Sequence, residues 1–416
     1  MGNDRRYRVA WIALQIVLVG AIVTPVVVRA GDPEIPSTAT TAYGVKWAYP
    51  QSGHFRAQLC VYHWWENFDH YSTINHNFLA EITLEPARGG DREGRVRIGK
   101  FVRMVDDGMH DVSTLYPVVG SGAAIQATNT WLKIDSLYLC GRTHDAQEKI
   151  STFVARPGDP KFGAAAVARD GSAVLVVLDD EVRFGDPQDW SQSRREDGPL
   201  LDVRRELAVG RGNTGTWFLT SDKRYVVIAP SRSIERYSSG VYSEGGASTT
   251  KPSIGGIEID FDDDAVVYDR KSKSISKCAK MLKGAELIDA ENVNGQLQLV
   301  YSKDDDIVQT KEMPELHRVD TITVTDVSGH VLYEHQTLTL NSYVLYAGWD
   351  PAGRQLWFRV RDVKYSSIDD SIPTDSPDAD YHLICWNAGN NTEQEWRLQA
   401  SEIKAAIAPA SGRSEK

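Results

Sequence analysis

The sequence predicts an all-β fold, and three observations lead to that prediction. Beyond residue 160 the chain repeats one pattern, in which two short apolar runs flank a tight polar turn and a polar break follows. Two of these turns contain Asp-Gly or Asn-Gly, which supply the positive φ angles that tight β-hairpins require. The composition, with 41% hydrophobic and 25% charged residues, allows a large core and excludes wholesale disorder.

Four segments carry the first hairpin of this repeat. Their paired runs and turns are Ala164–Val167, 169–171 and Val174–Leu178; Trp217–Leu219, 221–223 and Tyr225–Ile228; Glu286–Ile288, 294–295 and Leu297–Tyr301; and Tyr343–Tyr346, 350–353 and Leu356–Val360. Runs such as Val174–Leu178 are apolar at successive positions, which is typical of a strand covered on both faces. We therefore expect Val176, Val227, Leu299 and Phe358 to be equivalent, buried positions on the second strand.

A second hairpin follows in three of these units. An apolar strand ends on Asp or Asn and a polar turn comes next, at Val266–Asp269, Ile322–Asp326 and Leu383–Asn387. Two hairpins make four antiparallel strands, and the units recur roughly every 50 to 75 residues. Such units are typical of β-propeller blades that carry loop insertions.

The strand–Asp-x-x-Gly–strand pattern over residues 163–398 resembles the outer hairpin of WD-repeat and quinoprotein-like β-propellers. No Gly-His pair is expected to open a blade and no Trp-Asp dipeptide to close a strand, so the resemblance concerns the fold and not a functional family. It implies a β-propeller over residues 46–398 with about six four-stranded blades.

Residues 46–160 fit the repeat less well. Leu79–Leu84 with Arg95–Ile98 predicts one hairpin across a Gly-rich turn, and Trp131–Ile134 with Leu137–Cys140 predicts another. These hairpins are expected to belong to two degenerate blades. The alternative is a separate β-sandwich that precedes a smaller propeller.

The chain begins with a basic stub and a long uncharged segment. Arg5, Arg6 and Arg8 precede Val9–Val28, which as a helix is long enough to cross the ~30 Å of a bilayer's hydrocarbon. Positive charge before the first apolar segment stays in the cytoplasm, so the rest of the chain is expected to be extracytoplasmic, in the periplasm or outside the cell. Residues 1–30 are either an uncleaved single-pass anchor or a signal peptide that is cut after Ala30.

Two further segments are expected to lie outside the β domain. Residues 31–45 are rich in Pro, Ser and Thr and are predicted to be a linker from the membrane. Residues 399–416 are small and polar and are predicted to be a flexible tail.

Charge and cysteine usage exclude several classes of protein. The formal net charge of −11 opposes binding to phosphate backbones, and no nucleic-acid partner is expected. The four cysteines form no CxxC pair, which excludes a zinc ribbon and a thioredoxin-like motif. Cys60, Cys140 and Cys385 each lie within an apolar run and are expected to be buried free thiols, although two disulfides are the alternative in an oxidising compartment.

The densest group of candidate binding side chains lies between residues 63 and 76. Its members are His63, Trp64, Trp65, Glu66, Asp69, His70 and His76. Imidazole, carboxylate and aromatic groups could together line a metal or glycan pocket. Their spacing matches no metal motif, and a blade-edge loop with Trp64 or Trp65 capping the core is the simpler interpretation.

A second candidate is a cation site formed by Asp375, Asp378 and Asp380. Three carboxylates at loop-like spacing suit calcium, which takes six to eight oxygen ligands. The EF-hand pattern is absent, and a solvated acidic loop is the default interpretation of such a run. The sequence indicates no other cofactor.

The function predicted from these features is that of an exported, membrane-tethered and non-catalytic β-propeller. It would bind a protein or another ligand through its loops. It is predicted to be non-catalytic because the sequence contains neither a Walker lysine nor a Gly-x-Ser-x-Gly elbow. The alternative is an extracytoplasmic hydrolase or lyase acting on glycans, with acidic residues at the mouth of the propeller channel. Two carboxylates with raised pKa values at that mouth would favour the enzyme.

The predicted orientation can be tested with an impermeant protease. Added to intact cells or spheroplasts, it should digest the chain beyond residue 31 and leave the first few residues protected, because Arg5, Arg6 and Arg8 stay inside. Digestion that requires lysis would show the opposite orientation. The mass of the mature N-terminus separates the anchor from a signal peptide cut after Ala30.

Overall fold

A computed structural model describes most of the chain beyond residue 35. The described ranges are 36–51, 54–67, 70–87, 93–103, 113–117, 124–130, 133–143, 146–155, 162–178, 180–196, 198–211, 215–229, 253–254, 256–259, 265–278, 284–308, 317–339, 347–350, 352–362 and 380–411. Residues Thr40–Lys416 form one compact unit. The apolar segment Val9–Val28 lies outside the described residues, and within them no helix combines the length and apolar character needed to cross a membrane.

The protein is mostly β, and its strands follow one another as antiparallel meanders of four. The first two meanders consist of β1 (Thr40–Gln51), β2 (His54–Asn67), β3 (His70–Glu85) and β4 (Gly94–Arg103), then β5 (Ser113–Pro117), β6 (Ala124–Thr130), β7 (Lys133–Thr143) and β8 (Ala146–Ala155). The third consists of β9 (Phe162–Val167), β10 (Val174–Leu178), β11 (Val182–Gly185) and β12 (Arg194–Arg195), with a 3-10 helix at Pro187–Gln192.

The second half of the chain continues in the same way. One meander consists of β13 (Thr216–Leu219), β14 (Tyr225–Ala229), β17 (Val266–Asp269) and β18 (Ser274–Lys277), and the pair β15 (Ser253–Ile254) and β16 (Ile257–Glu258) is inserted into it. The next are β19 (Glu286–Val293), β20 (Gln296–Val308), β21 (His317–Asp326) and β22 (Val331–Thr339), then β23 (Ala347–Trp349), β24 (Gln355–Asp362), β25 (Asp380–Asn387) and β26 (Thr392–Leu398). Two helices, α1 (Pro199–Arg211) and α2 (Ala400–Ser411), complete the described elements.

The central strands bury both of their faces. On β14, Val226 belongs to the core shared with the β9–β12 meander, whereas its neighbour Val227 belongs to the core shared with β19 and β20. On β20, Leu299 faces the second of these cores and Val300 faces a third, with Trp349 of β23. Because successive strand residues point to opposite faces, each of these sheets is packed between two others.

The last meander packs against the first, which closes the order of the sheets. Trp357 and Leu383 of the last meander share a core with Leu59 and Phe78 of the first. Trp396 of β26 also pairs in parallel with Gly94 of β4, so the last and first meanders are joined at an edge. Four-stranded sheets that pack face to face in a closing order are the architecture of a β-propeller.

Aspartates fix the geometry of the turns. Asp170, Asp269 and Asp326 each accept a hydrogen bond from the backbone N–H two residues further on, at 2.8 to 3.0 Å. This Asx-turn geometry explains why both hairpin patterns end on Asp or Asn in the sequence. The Asn294-Gly295 turn has φ angles of +53° and +88°, as expected for a two-residue hairpin turn with both central residues left-handed.

The predicted repeat register is confirmed. Val176, Val227, Leu299 and Phe358 lie on the second strand of their meanders and are at most 3% exposed. The first strand of the fourth predicted unit is β23, whereas the predicted run Tyr343–Tyr346 falls outside the described residues.

One predicted hairpin is wrong. Residues 133–143 form the single strand β7, and its hairpin partner is β6, with Ala127 opposite Leu137. Asp135 and Ser136, between the two predicted runs, continue the strand beside an irregularity between Thr128 and Asn129. The other predicted hairpin forms, with Ile82 opposite Ile98.

Two predicted boundaries also need correction. Strand β1 begins at Thr40, so the end of the predicted 31–45 linker belongs to the first sheet. The predicted flexible tail at 399–416 contains helix α2, in which Ile403 and Ile407 are fully buried in the core of the first and last meanders. These two isoleucines are one helical turn apart, and their burial anchors the helix.

The described cysteines are buried free thiols. Cys385, which was predicted to be one, lies in β25, and Cys278 follows β18. Burial raises the pKa of Cys385 to about 12, so its thiol stays protonated and unreactive. The side chains of Cys60 and Cys140 are outside the described part of the structure.

Truncation of a side chain between two sheets tests this packing. Leu299→Ala should lower the free energy of unfolding by about 2 to 5 kcal/mol, because a buried leucine is replaced by a cavity. Chemical denaturation measures the change. Gln296→Ala, at an exposed position of the same strand, should change it by less than about 0.5 kcal/mol. Equal effects of the two variants would contradict the two-sided burial of β20.

Candidate functional site

The first hairpin turns of four meanders meet around a group of buried polar side chains, which we call the polar centre. Its charged members are Arg169, after β9, and the carboxylates Asp289 and Glu291 of β19. It also includes Ser221 of the β13–β14 turn and Gly348 of β23. The end of the sheets that carries these turns is called the turn end below.

An ion pair lies at the middle of the polar centre. The guanidinium of Arg169 contacts a carboxylate oxygen of Asp289 at 2.7 Å, and the Asp289 side chain is only 4% exposed. The backbone N–H groups of Trp349 and Ala290 donate further hydrogen bonds to Asp289 at 2.8 and 2.9 Å. A buried carboxylate needs such partners, and here they come from three different meanders.

Glu291 connects two neighbouring meanders. It accepts hydrogen bonds from the Ser221 hydroxyl at 2.8 Å and from the Ser221 N–H at 2.9 and 3.1 Å, and its own neighbour Asn292 donates another at 2.8 Å. Burial raises the pKa of Glu291 to about 7, although these donors favour the ionised form and partly oppose the shift. Glu291 is 1% exposed.

Two glycines leave room for these side chains. Gly353 has a φ of +62°, and a Cβ at that position would lie 3.1 Å from Cγ of Glu291. A Cβ at Gly348 would lie 3.2 Å from the guanidinium of Arg169. The left-handed backbone at Gly353 therefore favours glycine, whereas a larger residue at Gly348 would displace the Arg169 guanidinium by a few tenths of an ångström.

The polar centre has the chemistry of a structural crosslink. It contains two carboxylates, one with a raised pKa, which is the feature that would favour an enzyme. However, both carboxylates are nearly inaccessible to solvent, and their oxygens already accept hydrogen bonds from the protein. A general acid or base must reach the proton that it transfers, and neither group is placed to do so.

Sequence reasoning missed this group, although a signal was present. Asp289 and Glu291 are two residues apart in the first strand of a repeat unit, where apolar residues are the rule. Two carboxylates on one face of a covered strand require buried partners. The expectation that no Trp-Asp dipeptide closes a strand is wrong, because Trp349 ends β23 and Asp350 follows it directly.

The described residues of the first predicted site lie in the strands of a hairpin. His63, Trp64, Trp65 and Glu66 belong to β2, and His70 and His76 belong to β3. In the register, His63 is opposite Ile74 and Val61 is opposite His76. Nδ1 of His63 is 2.9 Å from the Thr41 hydroxyl, whereas Asp69 and the side chains of the other members are outside the described residues.

The second predicted site is described in part. Asp380 begins β25 and forms an ion pair with Arg397 of the neighbouring strand, with 3.1 Å between the Arg397 Nε and the carboxylate. Asp375 and Asp378 lie outside the described residues. A calcium ion at these three residues remains a prediction, and it would have to compete with Arg397 for one carboxylate.

The two ends of the sheets differ in the length of their connections. In an antiparallel meander, the turns after the first and third strands lie at the same end, here the turn end. The connection after the second strand therefore leaves from the opposite end, called the loop end. Residues 230–265, 309–316 and 363–379 make these connections after β14, β20 and β24.

Similar solved structures are found for most of the chain. One is the putative TolB of Agrobacterium tumefaciens, with 9% identity and a TM-score of 0.35 over 73% of this chain and 85% of that one. Another is the WD40 domain of SCAP from fission yeast, with 8% identity and a TM-score of 0.21 over 88% of this chain and 65% of that one. A member of the DUF4221 family from Bacteroides vulgatus is also similar, with 9% identity and a TM-score of 0.33 over 70% of this chain and 82% of that one. The four-stranded meanders of the structure, and not these weak similarities, support the resemblance to β-propellers that the sequence predicts. Similarities this weak identify no function.

No known family model matches the sequence, and no curated protein matches it significantly.

The raised pKa of Glu291 makes stability depend on pH. The folded state holds a proton on Glu291 up to about pH 7, whereas the unfolded state releases it near pH 4.5, the usual pKa of glutamate, so stability should fall as the pH rises between these values. Glu291→Gln should remove this loss, which amounts to about 3 kcal/mol. Denaturation of both proteins from pH 4.5 to 8 measures the difference. The control is Glu334→Gln at an exposed position. If this variant changed the pH dependence of the free energy of unfolding in the same way, Glu291 would not be the cause of that dependence.

Proposed function

We propose that this protein is an exported, membrane-tethered β-propeller that binds a protein partner at its loop end and catalyses no reaction. In this proposal the six described meanders are its blades. The observation that carries the proposal is the difference between the two ends. The turn end carries the polar centre, in which Arg169 pairs with Asp289 and Glu291 bonds to Ser221, whereas the two longest connections within a meander, 230–265 and 363–379, leave from the loop end.

The expected partner is basic. The loop-end connections carry many acidic residues, among them Asp262, Asp263, Asp369, Asp370 and Asp375. Acidic loops attract a positively charged surface and increase its rate of association, and they repel anionic lipid and nucleic acid. Binding residues are also found mostly on loops that a rigid scaffold positions.

The membrane tether is proposed from the N-terminal sequence. Val9–Val28 follows Arg5, Arg6 and Arg8, so it would hold the propeller on the outer side of the membrane. Pro, Ser and Thr residues between Gly31 and Ala39 would separate the blades from the bilayer.

Photo-crosslinking in the native membrane tests the proposal. A photoreactive residue in place of Ser371, in the 363–379 connection, should crosslink one discrete partner. The matched control replaces Asn390, an exposed residue of the β25–β26 turn at the turn end, and should give no such product. Asp369→Asn combined with Asp375→Asn should lower the yield, and so should added salt, because both weaken electrostatic attraction.

Two results would contradict the proposal. A product from Asn390 with no product from Ser371 would place binding at the turn end. Turnover of a glycan by the purified chain would establish the enzyme instead, and the two carboxylates of the polar centre would then need to become accessible.

A further inference from the structure

Three potential metal ligands meet where the last meander joins the first. They are Glu93, directly before β4, His382 on β25 and Glu395 on β26. The ligand atoms, one from each side chain, all lie within 4.8 Å of one another. This group is separate from the polar centre and from both sites predicted from the sequence.

The spacing of the three ligand atoms suits a small divalent cation. Nδ1 of His382 is 2.8 Å from a carboxylate oxygen of Glu395 and 3.9 Å from one of Glu93. Zinc bonds of about 2.0–2.2 Å in a tetrahedral site place neighbouring ligand atoms roughly 3.3 Å apart. The two distances from His382 lie on either side of that value, and all three ligand atoms lie close enough to share one ion.

The backbone holds the three residues in place before any ion binds. His382 and Glu395 are diagonal neighbours on one face of the β25–β26 pair, since His382 is opposite Arg397. Next to Glu93, a Cβ at Gly94 would lie 2.4 Å from the Trp396 ring and 2.4 Å from the carbonyl oxygen of Glu85. Only glycine allows this approach, which fixes the position of Glu93 against β26.

A neighbouring pair on β26 shows what the third ligand adds. Glu393, two residues before Glu395, contacts Nδ1 of His335 at 3.0 Å. His335 and Glu393 thus resemble His382 and Glu395, but the third group there is the hydroxyl of Tyr333, a poor ligand for zinc. The Glu93 carboxylate turns a His–Glu pair into a set of three ligands with a charge that matches a divalent ion.

We propose that Glu93, His382 and Glu395 bind a divalent transition metal of the zinc class, with a water molecule as the fourth ligand. Imidazole and carboxylate are ligands for such ions, and three protein ligands with one open position form a recognised zinc geometry. The ion bridges the first and last meanders, and it stabilises their junction. This inference does not depend on the proposed partner binding.

Zinc titration of the full chain tests the proposal. The protein, purified in detergent and stripped with EDTA, is titrated at pH 7.5, where imidazole is mostly neutral and free to bind. Calorimetry should show a zinc site with an occupancy close to one, and saturating zinc should raise the melting temperature by several degrees. The His382→Gln and Glu395→Gln variants should bind at least tenfold more weakly.

Glu393→Gln is the matched control, because it removes the same charge from the same strand. It should bind zinc within about twofold of the parent protein. Equal affinity of Glu393→Gln and Glu395→Gln would overturn the proposal, and so would the absence of zinc binding. If His382→Gln and Glu395→Gln lowered the melting temperature equally with EDTA and with zinc, the three residues would form only an ion-pair network.

Discussion

A sheet that is apolar on both faces cannot be stable alone in water, and this constraint governs the rest of the structure. Val226 and Val227 are adjacent on one strand, are both fully buried, and belong to different cores. A sheet of this kind needs a neighbour on each side, and each neighbour needs another. Every apolar face is covered only when the last sheet packs against the first, as it does where Trp357 and Leu59 share a core.

Polar residues then determine how the sheets align along their strands. Apolar faces can slide past one another at little cost, whereas buried hydrogen bonds tolerate little displacement. Glu291 bonds to Ser221 of the neighbouring meander, and Asp289 bonds to Arg169 two meanders away. The groups of the polar centre are therefore already used in bonds between the meanders.

The features that could be predicted from the sequence are those encoded locally. The Asn294-Gly295 turn and the burial of Leu299 follow from a few adjacent residues. The bond between Ser221 and Glu291 joins residues 70 positions apart, and no local pattern encodes that pairing. Helix α2 was missed for another reason, because its many small and polar residues concealed the spacing of Ile403 and Ile407.

The parallel pairing of β26 with β4 has a consequence for how the chain folds. Trp396 and Gly94 pair across some three hundred residues of sequence, a contact of very high order. Middle meanders can form as the chain emerges, but the exposed face of the first must wait for the last strand and helix α2. Until then Leu59 and Phe78 are open to other chains, so synthesis carries an aggregation risk that ends once the last meander and helix α2 have packed against the first.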